Sequence, residues 1–399
     1  MEIRKLKPEE NVHYLLMRSV CFTRDINTDD RYEWLKEPEK HTEGYEHAWG
    51  AFDGSGRLIS GMQVLPAQIM INGKPAKAGL VAAVTTLPEA RNARCVRKIY
   101  EAVMSQMKDE GVVFSLLYPF SFPFYRKFGY EHALARHRAN FPISELSKYP
   151  YPDGMRVHDK GDPWADFAKV YEQFIQDKNL PVVRGEKEWE RILNRDPHKN
   201  KEFTYIHYNA DGRPDGYVLY SGLLKDTFIF NIREMAWTDR AGLYALLGFI
   251  YGMRSEFNEI SWPIAREMEV LSLVENPRAV NKIVGVGNMV MYRVVDVTAA
   301  LGLVKAPSGK GNIALGITDR FMESNTGTYL LTWDNSSVKI EKTNQAPDME
   351  MDVETFAQLI IGYLTPAQTQ YRQDVSINSK MDELTALFPS KNLYMMESF

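Results

Sequence analysis

A basic turn between a predicted strand and a predicted helix is the stretch of the sequence best suited to bind an anion. The strand ends at residues 84–86, and the helix start that follows carries Arg91, Arg94, Arg97 and Lys98. The first N–H groups of a helix have no partner within it, and the helix dipole is positive there. Because basic side chains oppose that dipole, a bound pyrophosphate would relieve an unfavourable arrangement. The alternative interpretation is a basic turn that contacts only solvent.

A second stretch, residues 118–130, is rich in aromatic side chains. Seven of its thirteen residues are Phe or Tyr, against 12% in the whole chain. This density is typical either of a packed core or of a loop that lines a ligand, and core packing accounts for most of the rings. The stretch comes directly after a continuous apolar run at residues 112–117, which predicts a buried strand.

Other familiar catalytic and metal-binding motifs are absent from the sequence. It contains no His-Glu-x-x-His, no Cys-x-x-Cys, no Gly-x-Ser-x-Gly and no Walker loop. Its two cysteines, Cys21 and Cys95, cannot form a disulfide scaffold or a four-cysteine zinc site. Cys95 is as readily a small buried side chain as a nucleophile, so we assign it no catalytic role. We predict no metal site.

Length and composition indicate a multidomain globular protein. A chain of 399 residues corresponds to two or three domains, and 44% hydrophobic with 25% charged residues excludes wholesale disorder. A net charge of −4 argues against a nucleic-acid partner. The start lacks the apolar core of a signal peptide, and the longest mostly apolar run, residues 241–253, is too short to span a bilayer. We therefore expect a cytoplasmic protein without a membrane span.

Hydrophobic periodicity predicts three successive blocks of the α+β class. In the first, an antiparallel sheet precedes a helix that ends near Gly111, and a buried strand at residues 112–117 follows. The second block repeats the order of strands, helix and strand after a linker rich in Tyr and Pro. In the third, strands that begin with residues 289–295 precede two helices. The predicted domains are residues 1–148, 149–287 and 288–399.

This combination resembles a known enzyme family. A strand, a basic turn into a helix, a second strand and then Phe-Tyr-Arg-Lys-Phe-Gly-Tyr at residues 124–130 are similar to the acetyl-CoA half of a GNAT acetyltransferase. In length and block order the chain resembles the Eis (enhanced intracellular survival) family, which has two tandem GNAT-like domains and a C-terminal sterol-carrier-protein-like domain. The resemblance implies this α+β fold, acetyl-CoA as co-substrate and a homo-oligomer, a hexamer. It also implies direct acetyl transfer to primary amines of cationic substrates, such as aminoglycosides or lysine side chains.

The resemblance further implies roles for individual residues. Tyr125 would protonate the departing CoA thiolate, and the C-terminal carboxylate of Phe399 would accept a proton from the amine. The implied cofactor contacts are Val84, Thr85, Thr86, Arg91, Asn92, Arg94, Cys95, Val96, Phe120 and Ser121. The implied contacts to a cationic substrate are Asp25, Glu33, Trp34 and Glu397.

The pyrophosphate turn departs from the GNAT pattern. GNAT proteins usually carry glycine at the two positions that hold Arg94 and Val96 here, and glycine lets the backbone approach a phosphate closely. Arg94 either swings outward and adds a charged contact or crowds the phosphate. The alternative function is therefore a non-catalytic GNAT-like binding protein that uses the sterol-carrier-like domain for an apolar ligand or for assembly. We expect the second GNAT-like domain to bind no cofactor, because it shows no GNAT-type turn.

Overall fold

The computed structural model describes residues 1–22, 32–224, 228–335, 337–397 and 399. These residues form nineteen β-strands: β1 Glu2–Lys5, β2 Ala48–Phe52, β3 Leu58–Ile71, β4 Lys74–Thr86, β5 Phe114–Leu117, β6 Glu131–Pro142, β7 Met155–His158, β8 Lys178–Asn179, β9 Glu202–Tyr208, β10 Pro214–Leu224, β11 Phe228–Trp237, β12 Glu259–Ile264, β13 Asn281–Val294, β14 Lys310–Thr318, β15 Gly327–Asp334, β16 Ser337–Thr343, β17 Met349–Asp352, β18 Ser376–Ile377 and β19 Asn392–Leu393. They also form eleven α-helices: α1 Asn11–Cys21, α2 Cys95–Asp109, α3 Phe122–Arg126, α4 Ala165–Ile175, α5 Glu186–Leu193, α6 Pro197–Asn200, α7 Arg240–Gly252, α8 Val297–Leu301, α9 Val353–Ile360, α10 Pro366–Thr369 and α11 Met381–Leu387. Within these ranges, none of the helices has the length and apolar character needed to cross a membrane.

Helix α2 forms where the apolar spacing predicts it. Its buried side chains include Ile99, Val103 and Met107, which recur at helical spacing and face the sheet. Gly111 follows the helix with a φ of 71°, a left-handed conformation that glycine adopts without steric penalty. The antiparallel sheet predicted before this helix includes the long strand β3, which pairs with β4 from Ser60 to Ile71 apart from the bulge described below.

The first two blocks share one twelve-stranded sheet. Its order is β1-β2-β3-β4-β5-β13-β6-β12-β11-β10-β9-β7. β13 therefore lies between β5 and β6, so that the last strand of the second block completes the sheet of the first. This corrects the predicted domain division. The boundary between residues 287 and 288 falls inside β13, and the strand predicted at residues 289–295 belongs to this sheet because it pairs with β5 and β6.

The third block packs a five-stranded sheet and helix α9 against the first block. The sheet has the order β16-β15-β14-β17-β18. One apolar cluster crosses the junction: it includes Phe114 and Leu116 of β5, Tyr292 of β13, Leu315 of β14 and Phe356 of α9, all buried. Burial of shared apolar surface of this kind stabilises the junction.

The chain ends in a segment that contacts all three blocks, residues 392–399, which we call the tail. Its strand β19 pairs in parallel with β8 of the second block. Asn179 is the meeting point: its Oδ1 accepts a hydrogen bond from the Asn72 N–H at 2.7 Å, and its Nδ2 donates to the Ile361 carbonyl at 2.9 Å. Its own carbonyl accepts from the Tyr394 N–H at 3.1 Å. The tail thus leaves the third block, crosses the second and reaches the first.

Candidate functional site

A gap opens in the large sheet where β5 ends. β4 and β5 pair in parallel only as far as Val81 and Leu117, whereas β4 continues to Thr86. On the other side, β13 pairs with β5 only from Met291 onward, and among the described strands its earlier residues pair with β6 alone. We call the gap between residues 82–86 of β4 and the end of β5 the cleft.

Strand β4 bulges at the edge of the cleft. Ala83 and Val84 together stand opposite Met62 of β3, and Ala83 has a φ of 49°, unusual for a residue other than glycine. The hydroxyl of Tyr14, a fully buried residue of α1, donates to the Ala83 carbonyl at 2.7 Å and holds this conformation. A bulge leaves one residue out of the strand ladder, and the Tyr14 hydroxyl replaces a ladder partner for the Ala83 carbonyl. No pattern in the sequence predicted this feature.

The far edge of β4 is firmly held. Ser60 Oγ donates to the Thr85 carbonyl at 2.7 Å, and the Cys21 thiol contacts the Thr86 carbonyl at 3.4 Å. Thr85 is buried, and Val84 and Thr86 are half-buried. The three residues predicted to line the cofactor therefore lie on a rigid strand, bonded on one edge and next to the cleft on the other.

The turn after β4 has the backbone of a glycine turn although it contains no glycine. Asn92 and Arg94 have φ values of 75° and 57°, the left-handed region that glycine favours. Arg91, Asn92 and Arg94 are all exposed. Of the two alternatives for Arg94, the structure shows the outward one. The backbone of the turn is therefore not covered by the side chain that replaces glycine.

The start of α2 is uncapped and positively charged. The residue before the helix, Arg94, makes no side-chain capping hydrogen bond. Arg97 pairs with Glu101 at 3.0 Å, whereas Arg91, Arg94 and Lys98 have no ion pair with any described residue. Free N–H groups and unpaired cations at one helix end favour an anion electrostatically.

Cys95 and Val96 contribute backbone rather than side chains to this helix start. Cys95 is 2% exposed, and burial raises the pKa of its thiol. A raised pKa keeps a thiol protonated and unreactive, so Cys95 is not suited to act as a nucleophile. Val96 is half-buried and packs against the core between α2 and the sheet.

Tyr125 lies in the aromatic loop beside the cleft. It is 3% exposed and contacts the rings of Phe120, Phe124 and Tyr130, with centroids 5.4, 5.1 and 6.2 Å away. Burial, together with the neighbouring phenol of Tyr130, raises the pKa of Tyr125 far above its usual value. The phenol therefore stays protonated at neutral pH and can donate a proton. Phe120 is largely exposed, and Ser121 directly precedes α3.

Ion pairs and a close glycine contact fix this loop. Arg126, next to Tyr125, donates two hydrogen bonds to Glu131 at 2.9 and 2.8 Å. Burial would raise the pKa of Glu131, but hydrogen bonds from His132 and Arg126 lower it to about 2. Gly129 has a φ of 78°, and a β-carbon there would clash with the buried guanidinium of Arg293. The turn that follows Tyr125 therefore requires glycine.

The C-terminus reaches the cleft from the other face of the sheet. The Phe399 ring lies 5.1 Å from that of Tyr118, the residue that follows β5. Successive residues of β5 point to opposite faces: Leu116 belongs to the cluster that Phe399 contacts, and Leu117 to the cluster that contains Tyr125. Tyr125 and the chain end therefore approach the cleft from opposite faces.

The residues proposed for cation recognition make different contacts in the structure, and their role in binding a substrate stays a prediction. Asp25 lies outside the described residues. Glu33 is exposed and pairs with Lys36 at 2.7 Å, and the Trp34 ring stacks on the ring of His41 at 4.7 Å. The fourth, Glu397, is buried and bound to Arg184 at 2.8 Å, so its carboxylate is directed into the protein rather than toward an open pocket.

Comparison with known proteins gives matches along nearly the whole chain. Models of the acetyltransferase (GNAT) domain match residues 2–133 and 180–294, and a model of the sterol carrier protein domain matches residues 297–396. No curated protein sequence matches the chain significantly.

Several solved structures share the fold over the full length. A GCN5-related N-acetyltransferase from Anabaena variabilis has a TM-score of 0.85 at 19% identity, with 100% of each chain covered. A probable N-acyltransferase from Enterococcus faecalis has a TM-score of 0.80 at 20% identity, with 98% of each covered. Eis1 from Mycobacterium abscessus has a TM-score of 0.80 at 18% identity, with 100% of each covered.

The matches follow the architecture of the structure. The sterol carrier match begins at residue 297, after β13 has completed the large sheet. The predicted α+β fold, with two GNAT domains followed by a sterol carrier domain, is confirmed. The chain belongs to the GNAT family of N-acetyltransferases and has the Eis-like arrangement of two GNAT domains followed by a sterol carrier protein domain.

Proposed function

We propose that the first GNAT domain transfers the acetyl group of acetyl-CoA directly to a primary amine of a cationic substrate, such as an aminoglycoside or a lysine side chain. The observation that carries the proposal is the cleft, approached by Tyr125 on one face and by the C-terminal residue Phe399 on the other. A protonated phenol and a carboxylate are the two groups that this reaction needs.

The edges of the cleft supply the binding site for acetyl-CoA. The pantetheine arm would lie along Val84, Thr85 and Thr86, which no strand covers on the cleft side within the described part of the chain. The pyrophosphate would bind at the start of α2, where no side chain caps the helix and Arg91 and Arg94 form no ion pair with a residue that the structure describes. In this proposal, backbone N–H groups beside the bulge bind the thioester carbonyl and stabilise its developing negative charge.

Each face of the sheet then supplies the group for one of the two proton transfers. The neutral amine attacks the thioester carbon, so that a C–N bond forms and the C–S bond breaks. The carboxylate of Phe399 takes the proton that the amine loses, and Tyr125 gives a proton to the sulfur. Exchange with water returns both groups to their starting state. The position of Tyr125 supports this assignment, because it packs in one cluster with Leu117 at the end of β5, beside the cleft.

The alternative, an apolar ligand in the sterol carrier domain, has less support. The face of the five-stranded sheet that α9 covers is packed with buried side chains, among them Leu315, Leu331, Met351 and Phe356. A lipid there would have to displace close-packed core residues.

The Eis-like arrangement also leads us to propose a cytoplasmic homo-hexamer. Light scattering of the purified protein is the direct test of the hexamer.

The test compares two tyrosine variants with acetyl-CoA and a panel of aminoglycosides and lysine peptides. In Tyr125→Phe we expect kcat to fall about 100-fold or more, because general acid catalysis contributes about 10²–10⁴. Its affinity for acetyl-CoA by calorimetry should stay unchanged. Tyr205→Phe in β9 of the second domain is the matched control and should retain full activity.

A second variant tests the carboxylate. Extension of the chain by two glycines after Phe399 should abolish transfer, since it moves the charged group, whereas the same extension at the N-terminus should have no effect. Transfer that survives both Tyr125→Phe and the C-terminal extension would refute the proposed mechanism. A protein that binds no acetyl-CoA would refute the function itself.

A further inference from the structure

The tail is bound mainly by the second GNAT domain, to which no function has been assigned above. β19 pairs with β8, and Tyr394 inserts its ring into the core of that domain, 5.2 Å from the ring of Phe174. Tyr394 and Met395 are 4% and 1% exposed. The tail is therefore packed against the rest of the chain in the way that a bound peptide packs against a protein.

The buried side chain of Arg184 binds Glu397, which lies near the end of the tail. Arg184 donates two hydrogen bonds to Glu234 of β11, at 2.7 and 2.6 Å, and a third to Glu397 of the tail at 2.8 Å. The side chains of these three residues are 2%, 8% and 5% exposed. The guanidinium also lies 4.0 Å from the centre of the Tyr171 ring.

This cluster specifies where Glu397 must lie. A buried carboxylate without a partner is strongly unfavourable, and the Arg184 guanidinium supplies Glu397 with a charged partner in this interior. One guanidinium binds two carboxylates here, and Glu234 belongs to the domain core. The bond between Arg184 and Glu397 therefore joins the tail to a rigid part of the second domain.

Glu397 is also bound to the first domain, through its backbone carbonyl. Tyr118, at the cleft, donates its hydroxyl proton to the Glu397 carbonyl at 2.6 Å. Two residues of chain span at most about 7 Å, so a fixed Glu397 confines the carboxylate of Phe399 to the neighbourhood of the cleft. Glu397 is thus bound by its side chain to the second domain and by its carbonyl to the first.

We propose that the second GNAT domain is a clamp for the tail, and that Arg184 is the positioning residue that sets the Phe399 carboxylate at the cleft. The inference rests on the proposed role of Phe399 as the proton acceptor. It assigns Glu397 to the clamp instead of to substrate recognition, and it explains why the tail crosses the second domain before it enters the first.

The test uses Glu397→Gln in the full chain, which leaves the Arg184–Glu234 pair intact and the second domain folded. Glu202→Gln is the matched control, because Glu202 lies in the same domain and pairs with exposed arginines. Hydrogen–deuterium exchange of the tail amides measures clamping without reference to activity. We expect exchange of the tail to rise roughly 10- to 100-fold in Glu397→Gln, the loss typical of one charge-assisted hydrogen bond, and to stay unchanged in the control.

Kinetics then separate positioning from a structural effect. In Glu397→Gln, kcat for the amine should fall at least tenfold, while the acetyl-CoA affinity stays within error of the parent and the free energy of unfolding falls by no more than the rise in tail exchange corresponds to. Faster tail exchange with a lower kcat supports the proposal. Faster exchange with unchanged kcat supports the clamp but removes Phe399 from the reaction. Unchanged tail exchange overturns the clamp, whatever happens to kcat, and leaves the proposed function standing.

Discussion

The starts of α2 and α7 occupy equivalent places in the two GNAT domains, each after a strand that leads into the domain's main helix. Before α2 the chain makes an exposed turn with Arg91 and Arg94 and no cap. α7 begins directly after Thr238 and Asp239, and the Asp239 carboxylate accepts a hydrogen bond from the Gly242 N–H at 2.9 Å. The first helix start is open to an anion, whereas the second already holds a carboxylate of its own chain.

The gaps beside the two central strands differ in the same way. β11 and β12 pair in parallel only to Asn231 and Ser261, so the second domain also has strands that separate. Arg138 of β6 fills the opening there, since its guanidinium donates to the Ile232 and Ser261 carbonyls at 3.3 and 2.9 Å. In the first domain the corresponding opening is the cleft.

The two domains therefore share a fold but differ at the helix start and at the gap between the strands. Both domains match the same kind of family model and both have separated strands before a helix. The first keeps the opening and the helix start free, while the second closes both and uses its core to hold the tail. The difference lies in a few side chains, and each can be changed.

The largest expected effect comes from giving α2 the cap of α7. Arg94→Asp places a carboxylate at the helix start, removes one charged contact to the pyrophosphate and adds repulsion. Together these correspond to about 4 kcal/mol, or roughly a 1000-fold loss of acetyl-CoA affinity by calorimetry.

Arg94→Gly is the matched control for that experiment. Glycine suits the left-handed backbone at this position, with its φ of 57°, and should keep affinity within about tenfold of the parent, the loss expected for one exposed charge. Equal affinities for Arg94→Asp and the parent would show that the anion does not bind at α2, and the comparison of the two helix starts would fail.

Local features were predictable from the sequence where spacing alone determines them. The apolar positions of α2, the basic turn and the aromatic loop around Tyr125 each lie within one short stretch. These three features could be predicted because helix periodicity and turn chemistry depend on only a few neighbouring residues.

Features set by distant pairing could not be predicted. β13 reads as an ordinary apolar strand, and nothing in its own residues specifies β5 and β6 as neighbours. Ala83 has no turn-forming side chain, because its bulge is held by Tyr14 across the sheet. The ion pair between Arg184 and Glu397 joins residues 213 positions apart in the sequence, so the surroundings of neither residue in the sequence indicate it.

A smaller effect is expected on the free energy of unfolding. It tests how the loop with Tyr125 is held, through the removal of one glutamate charge in each domain. Glu131 has a pKa lowered from 4.5 to about 2 by its partners, which corresponds to about 3 kcal/mol of stability. Because the folded-state pKa is depressed, this stability is fully present above about pH 5 and is lost as pH falls toward 2. Glu131→Gln should therefore be less stable to urea than the parent at pH 6 by about 3 kcal/mol, and the difference should shrink progressively as pH falls from about 5 toward 2.

Glu202→Gln supplies the comparison from the second domain. Its carboxylate is 28% exposed and pairs with Arg195 and Arg233 at the surface, where ion pairs contribute about 0–1 kcal/mol. A loss for Glu202→Gln as large as that for Glu131→Gln would contradict the view that burial makes the first-domain pair the stronger one.

The smallest expected effect is on stability and concerns Asp239, whose side chain caps the start of α7. Asp239→Ala removes the side chain that bonds the Gly242 N–H, and loss of such a cap costs about 1 kcal/mol, seen as a fall of a few degrees in Tm. The substitution frees the start of α7, which begins with one exposed arginine, Arg240, but Arg138 still fills the gap between the strands. Calorimetry should therefore still find one acetyl-CoA per chain. A second bound acetyl-CoA would mean that Asp239 alone keeps the second domain empty, and that the two domains differ by a cap rather than by the filling of their clefts.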